Sequence, residues 1–155
     1  MPGLLDHSPA DITSRVLIAL GLGVDPDDAN EAADLEGWPV HVSVEPDVPD
    51  NVITVYNTQG VQHSSNQYDG EVNEHYGIQV KVRARTDTEG WTKAVTVAQT
   101  MDKSIYDELL TIGSSNYKLQ SFGRTSAVLP IGQDPGVRDT VSFTINGMVS
   151  IRKLN

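Results

Sequence analysis

The chain has 155 residues, no cysteine and a formal net charge of −10, which fits one domain and excludes a disulfide framework and thiolate metal sites. The charge is unevenly placed: residues 1–75 carry 14 acidic residues and one basic one (net −13), while residues 76–155 carry 7 acidic and 10 basic (net +3). So acidic a chain is poorly suited to gripping phosphate backbones, its N-terminus lacks the basic and apolar regions of a signal peptide, and no run of about 18 apolar residues spans a membrane.

A domain of this length buries about 68–70% of its unfolded surface and needs no covalent staple. The absence of cysteine fits a reducing compartment. Ser8-Pro9-Ala10-Asp11 opens a first helix over 9–20: Ser8 as N-cap, Pro9 at the first helical position, Asp11 at the positive end of the dipole. Ile12, Val16, Ala19 and Leu20 repeat at helical spacing, and Gly21 and Gly23 end it. Residues 24–37 are acidic and aperiodic and read as a surface loop. Asp25, Asp27 and Asn30 do not follow the alternation of a calcium-binding loop.

Val40, Val42 and Val44 alternate with polar residues as a strand, Pro46 and Pro49 mark a turn, and Val52–Tyr56 is a second strand. Residues 59–75 are polar, without a packing pattern, and read as a long loop of the kind that carries function or orders on binding. Tyr76–Arg85 then alternates cleanly, with Ile78, Val80, Val82 and Ala84 on one face and Gln79, Lys81, Arg83 and Arg85 on the other. Thr86 and Glu89 form a capping box. Trp91, Ala94, Val95, Ala98, Met101, Ile105 and Leu109 step by three and four, so the periodicity predicts a helix over 88–112, about 37 Å long, ended by Gly113. Strands follow at 117–122 and 127–132, the second interrupted by Pro130 and hence near an edge, and a turn spans 133–136. In the last segment, Val141, Phe143, Ile145, Gly147, Val149 and Ile151 keep one parity through Asn146-Gly147. A hairpin there would mix faces, so the segment reads as one long strand with Gly147 at a bend or close backbone contact. The expected fold is α+β: a mostly antiparallel sheet of about five strands, the long helix across one face and the short N-terminal helix beside it.

The four histidines, His7, His41, His63 and His75, have no ligand spacing, and no nucleophile elbow, P-loop or dinucleotide fingerprint occurs. No catalytic, cofactor-binding or metal-binding residue is named, and the expectation is a chain that is not an enzyme. Charge points instead to Asp25, Asp27 and Asp28 in the acidic loop and to Lys81, Arg83, Arg85, Arg124 and Arg138 later on. These are either solvated surfaces or the two sides of a seam between copies, the 25–36 loop of one copy meeting the 81–85 strand face of the next.

Ile78–Arg85 leading into a helix near Glu89, then Leu129-Pro130-Ile131-Gly132-Gln133-Asp134, Gly136-Val137-Arg138 and the strand Val141–Asn146, resembles the tail terminator proteins of long-tailed, siphovirus-like phages, also described as minor capsid or tail completion proteins. The resemblance covers residues 76–150 in detail and the rest by element order. It departs at Gln133, where that family often has a basic residue. It implies a homo-oligomer, commonly a hexameric ring, at the head-proximal end of the tail tube. Such a ring stops tube polymerisation and offers a surface to the head connector, while DNA passes through the lumen without specific binding. It also implies no cofactor, no membrane, and a place in the virion neck after assembly in the host cytoplasm. The alternatives are another head–tail connector or tube-like virion protein, and a small-ligand-binding or hydrolytic α+β domain with the 59–75 loop as a lid.

Overall fold

The computed structural model describes residues 5–27, 37–47, 49–65, 72–133 and 139–154. Two helices, α1 (Pro9–Ala19) and α2 (Asp87–Ser104), and seven strands make up the described chain: β1 (Val40–Val42), β2 (Val52–Ser65), β3 (Val72–Ala84), β4 (Tyr106–Ile112), β5 (Ser115–Arg124), β6 (Leu129–Gln133) and β7 (Val141–Lys153).

The strands form one sheet in the order β1-β2-β3-β7-β5-β4, with β6 also on β7. β7 is its centre. One edge pairs with β3 from His75↔Ser150 to Ala84↔Val141. The other is shared, with β6 along residues 141–144 and β5 along 147–153. α1 packs against β1, β2, β3 and β4. A helix that touches both ends of the strand order requires the sheet to curl around it as a half-barrel. Ile12, Val16 and Leu17 of α1 and Ala94, Val97, Ala98 and Met101 of α2 meet Ile53, Val55, Val80, Val82, Phe143 and Ile145 of the sheet in one core.

This overturns the expected fold class. The described residues are mostly β, with a curled, mixed sheet of seven strands and two short helices, where a mostly antiparallel five-stranded sheet with a long helix was expected. Three local decisions account for the difference. The first is at Ile105, where the backbone leaves the helical region (φ −83°, ψ 81°). Tyr106–Ile112 then pairs with Ser115–Ser121 as a hairpin, and Gly113, at φ +60°, supplies the turn conformation that L side chains disfavour. Gly113 therefore turns a hairpin, and does not stop a helix. Glu108, Leu110 and Ile112 pair at the positions of Leu119, Tyr117 and Ser115, so a period of two was hidden behind an apparent period of 3.6 through Leu109, which is 67% exposed.

The second decision is in the stretch read as a polar loop over 59–75. Its described parts are strand: β2 and β3 continue pairing from Thr58↔Gly77 past a bulge to Val61↔His75, His63↔Asn73 and Ser65↔Val72. The third is β1, which runs parallel to β2 (Val40↔Ile53 to Val42↔Val55). It stops after Val42, where Ser43 takes a positive φ of 64° and leaves Val44 exposed.

Other expectations hold. Ser8 caps α1 by accepting from the Asp11 amide at 3.2 Å. Bonds from Leu22 to Leu17 and from Gly21 to Ile18 close the helix as a Schellman motif. Thr86 caps α2 by accepting from the Glu89 amide at 3.2 Å. β7 is one unbroken strand through Asn146-Gly147. A Cβ on Gly147 would lie 2.5 Å from Phe122 Cε2 and 2.7 Å from the Gly123 carbonyl, so only glycine admits β5 this closely.

Candidate assembly surface

The outer face of the sheet, away from the helices, carries the basic strip. Lys81 and Arg83 do stand on one face of β3, as alternation requires, but their carboxylate comes from the same chain. Glu45 Oε2 accepts from Lys81 Nζ at 3.1 Å and lies 3.7 Å from Arg83 Nη1. The Arg83 guanidinium also donates to the carbonyls of Pro49 at 2.6 Å, Asp50 at 3.1 Å and Asp47 at 3.3 Å. Arg83 is 7% exposed.

The need for this clamp follows from the topology. Parallel neighbours cannot be joined by a tight turn, so the chain must travel back along the sheet between β1 and β2. Arg83 satisfies three carbonyls of the return segment between them. Two prolines, Pro46 and Pro49, in this segment remove donors and favour extended backbone. Beside the clamp, burial raises the Tyr56 phenol above its usual value, and the Glu45 charge adds to that. Further along the same face Gln79 Nε2 donates to Asn146 Oδ1 at 3.0 Å, and Ser150 Oγ to Gln120 Oε1 at 3.0 Å.

The remaining candidates are dispersed. Arg85 is exposed, and its backbone amide donates to Asn51 Oδ1. Arg124 pairs with Asp102 at 2.9 Å. Asp25 and Asp27 line a cleft of about 280 Å³ between α1 and β1, with Asp11, Ile18, Val40 and Val42. Arg15, the only basic residue before Lys81, also lines it and pairs with Asp11 at 3.6 Å. His41 lies at the same cleft, and burial lowers its imidazole below the usual histidine value, with Asp27 opposing and Arg83 assisting. Asp28 and Arg138 lie outside the described residues, as does most of the 25–36 loop.

A polar cluster that sequence reasoning missed ties the N-terminal segment to the far end of the sheet. Asp6 Oδ2 accepts from Ser115 Oγ at 2.5 Å and pairs with Lys153 Nζ at 2.9 Å. Those contacts, Ser115 first, hold the Asp6 carboxyl below its usual value. The buried Tyr117 hydroxyl accepts from the Asp6 amide at 3.2 Å and is hydrogen-bonded to His7 Nδ1 at 2.7 Å. Serine, histidine and aspartate are thus neighbours, but in the wrong order for a nucleophile. Ser115 gives its proton to the carboxylate, and His7 is bonded to tyrosine. No sequence signal marks this cluster, because Asp6 and His7 are at least 109 positions from the residues they meet. Among the described residues, no three His, Cys, Asp or Glu side chains gather as a metal site, and no helix is long and apolar enough to cross a membrane.

Four large apolar side chains lie exposed on two edge strands, and a fifth follows the central strand. Tyr106 and Leu109 belong to β4, Leu129 and Ile131 to β6, and Leu154 follows β7. Exposed apolar groups on open strand edges are where another chain docks most readily.

No family model matches the chain, and no curated protein matches its sequence. Among solved structures, a chain from the "virion of native gene transfer agent (GTA) particle" superposes with a TM-score of 0.51 at 13% identity, covering 95% of this chain and 99% of that one. A second solved chain, 15% identical over 79% of this chain and 85% of its own, gives a TM-score of 0.42. The first match establishes a shared fold, almost end to end.

Proposed function

We propose that this chain is a structural subunit of a phage-like virion, and within that class a tail terminator. The observation that carries the reading is the fold match to a chain of a gene transfer agent virion, covering 95% of one chain and 99% of the other. Coverage that complete favours a shared whole-domain role over a borrowed motif. The sequence resemblance over residues 76–150 supports the finer role independently of the superposition. On this reading, copies close into a ring, commonly of six, on the head-proximal end of the tail tube. The ring ends tube growth and presents its other face to the head connector. A subunit with net charge −10 suits a lumen that must pass DNA without holding it. No catalysis and no cofactor is part of the role.

Mass measurement in solution, alone and with the tail tube protein of the same particle, tests it. The expected result is a ring of defined copy number, formed alone or on the tube. A chain that stays monomeric at high concentration and ignores tube protein would overturn the terminator role.

A further inference from the structure

The sequence holds a single Asn-Gly pair, Asn146-Gly147, and it lies in the middle of the central strand β7. An asparagine followed by glycine is the most open to attack by the next backbone nitrogen, because glycine has no Cβ to block the approach. Packing fixes the glycine, since a Cβ there would meet the Phe122 ring and the Gly123 carbonyl. The fold thus keeps a chemically labile pair where it needs an unbroken strand, and it surrounds that pair with restraints. The Asn146 carbonyl accepts from the Thr125 amide at 3.0 Å on the β5 side. By the alternation of an antiparallel ladder, the Gly147 amide then points the other way, to Ile78 of β3, its partner in register. The half-buried Asn146 carboxamide is tied as well. Its Oδ1 accepts from Gln79 Nε2 at 3.0 Å, and its Nδ2 donates more weakly to Thr144 Oγ1 at 3.5 Å.

We propose that Asn146 is a latent site of spontaneous deamidation, and that Gln79 is a positioning residue that holds its carboxamide out of reaction. The reaction needs the Gly147 nitrogen, deprotonated by hydroxide, to attack Asn146 Cγ. The N–Cγ bond forms, the Cγ–Nδ2 bond breaks, and Nδ2 leaves as ammonia with a proton from water. Water then opens the succinimide at either carbonyl, leaving aspartate or isoaspartate at position 146. Three features of the folded chain oppose the first step. The Gly147 amide is engaged by β3. Strands on both sides of β7 prevent the backbone rotation that brings Cγ over that nitrogen. Gln79 draws the carboxamide across the sheet face toward β3. Local opening of β7 removes all three together. The main consequence is lasting, because isoaspartate adds a methylene to the backbone of a strand paired on both edges. Every residue of β7 beyond 146 then loses its register with β3 and β5.

Full-length wild type is compared with Gln79→Met, which keeps the length of the side chain and removes its donor, and with Gln79→Leu. Each is held at mildly alkaline pH in native buffer and in urea, and peptides spanning position 146 are followed by mass for conversion of amide to acid. Urea unfolding curves give the share of the reaction that passes through whole-chain unfolding, and that share is subtracted. In urea all three chains should react at one rate. In native buffer wild type should react at least about tenfold more slowly than in urea. Both variants should then exceed native wild type by at least about threefold, with the products isoaspartate and aspartate at 146. A native wild type that reacts as fast as the unfolded chain would overturn the protection by β7. Variants that match wild type after the subtraction would overturn the role of Gln79. Failure of both variants to fold would overturn it too, by showing that Gln79 supports the whole sheet and not the Asn146 carboxamide in particular.

Discussion

The two ends of the β2–β3 hairpin are built by different rules. At its base, Ile53↔Val82 and Val55↔Val80 are fully buried under the helices, with β1 on one side and β7 on the other. At its outer part, Asn57 to Gly60 are exposed, the pairing shifts between Thr58 and Val61, and β1 no longer flanks β2. The base is held by burial and the outer part by backbone pairing. That contrast explains why alternation of apolar residues found the first and missed the second. Backbone hydrogen bonds leave no hydrophobic trace in a sequence.

The comparison can be broken most forcefully at the base. Ile53→Ala removes a side chain at 0% exposure and should cost about 2–5 kcal/mol of global stability in urea unfolding. A loss below about 1 kcal/mol would mean that the base is no more a core than the outer part. Next comes the clamp. Arg83→Met leaves Glu45 with Lys81 alone and strands three carbonyls, and should cost about 3 kcal/mol. Arg85→Met, two residues away and exposed, should stay within about 0.5 kcal/mol. Equal effects at the two positions would refute the view that Arg83 holds the return segment.

The outer part should respond locally. A Cβ on Gly60 would lie 2.3 Å from the His75 carbonyl, so Gly60→Val should speed amide exchange at residues 57–60 and 75–77 while shifting the global midpoint by no more than about 1 kcal/mol. A cooperative loss of the whole fold would show that the hairpin is one unit after all. The smallest effect concerns pH. The folded chain disfavours the charged form of His41, whose pKa lies below the ordinary 6.5, so the unfolded chain takes up a proton first as pH falls. Stability is therefore retained above the ordinary value and lost as pH drops from there through the lowered one. Unfolding curves of wild type and His41→Asn over that window should converge on the acid side, and parallel curves would exclude the effect.

The misreading of β4 has a different origin from the misreading of the outer hairpin. Met101, Ile105 and Leu109 continue the helical step of α2, and nothing nearby in sequence argues against a longer helix. The hairpin with β5 wins because it brings Leu110 and Ile112 opposite Tyr117 and Ser115 and lets Tyr117 enter the core at 0% exposure. Gly113 followed by Ser114 was the available clue, since a glycine opening a two-residue loop is a hairpin signal as readily as a helix stop. At the candidate surface, the sequence showed that β3 carries Lys81, Arg83 and Arg85 on one face. It did not show that Glu45, 36 positions before Lys81, would reach back to meet two of them.

What the sequence determined by itself is local: the caps of both helices at Ser8 and Thr86, the core face of β3, and the continuity of β7 through Gly147. Each depends on residues within a few positions of one another, where backbone sterics and side-chain period act directly. The tertiary structure decided where α2 ends, that β1 runs parallel to β2, that the sheet curls around α1, and which carboxylate answers which cation. Those outcomes depend on pairings between segments far apart in the chain, whose entropy cost is met only when the whole core closes.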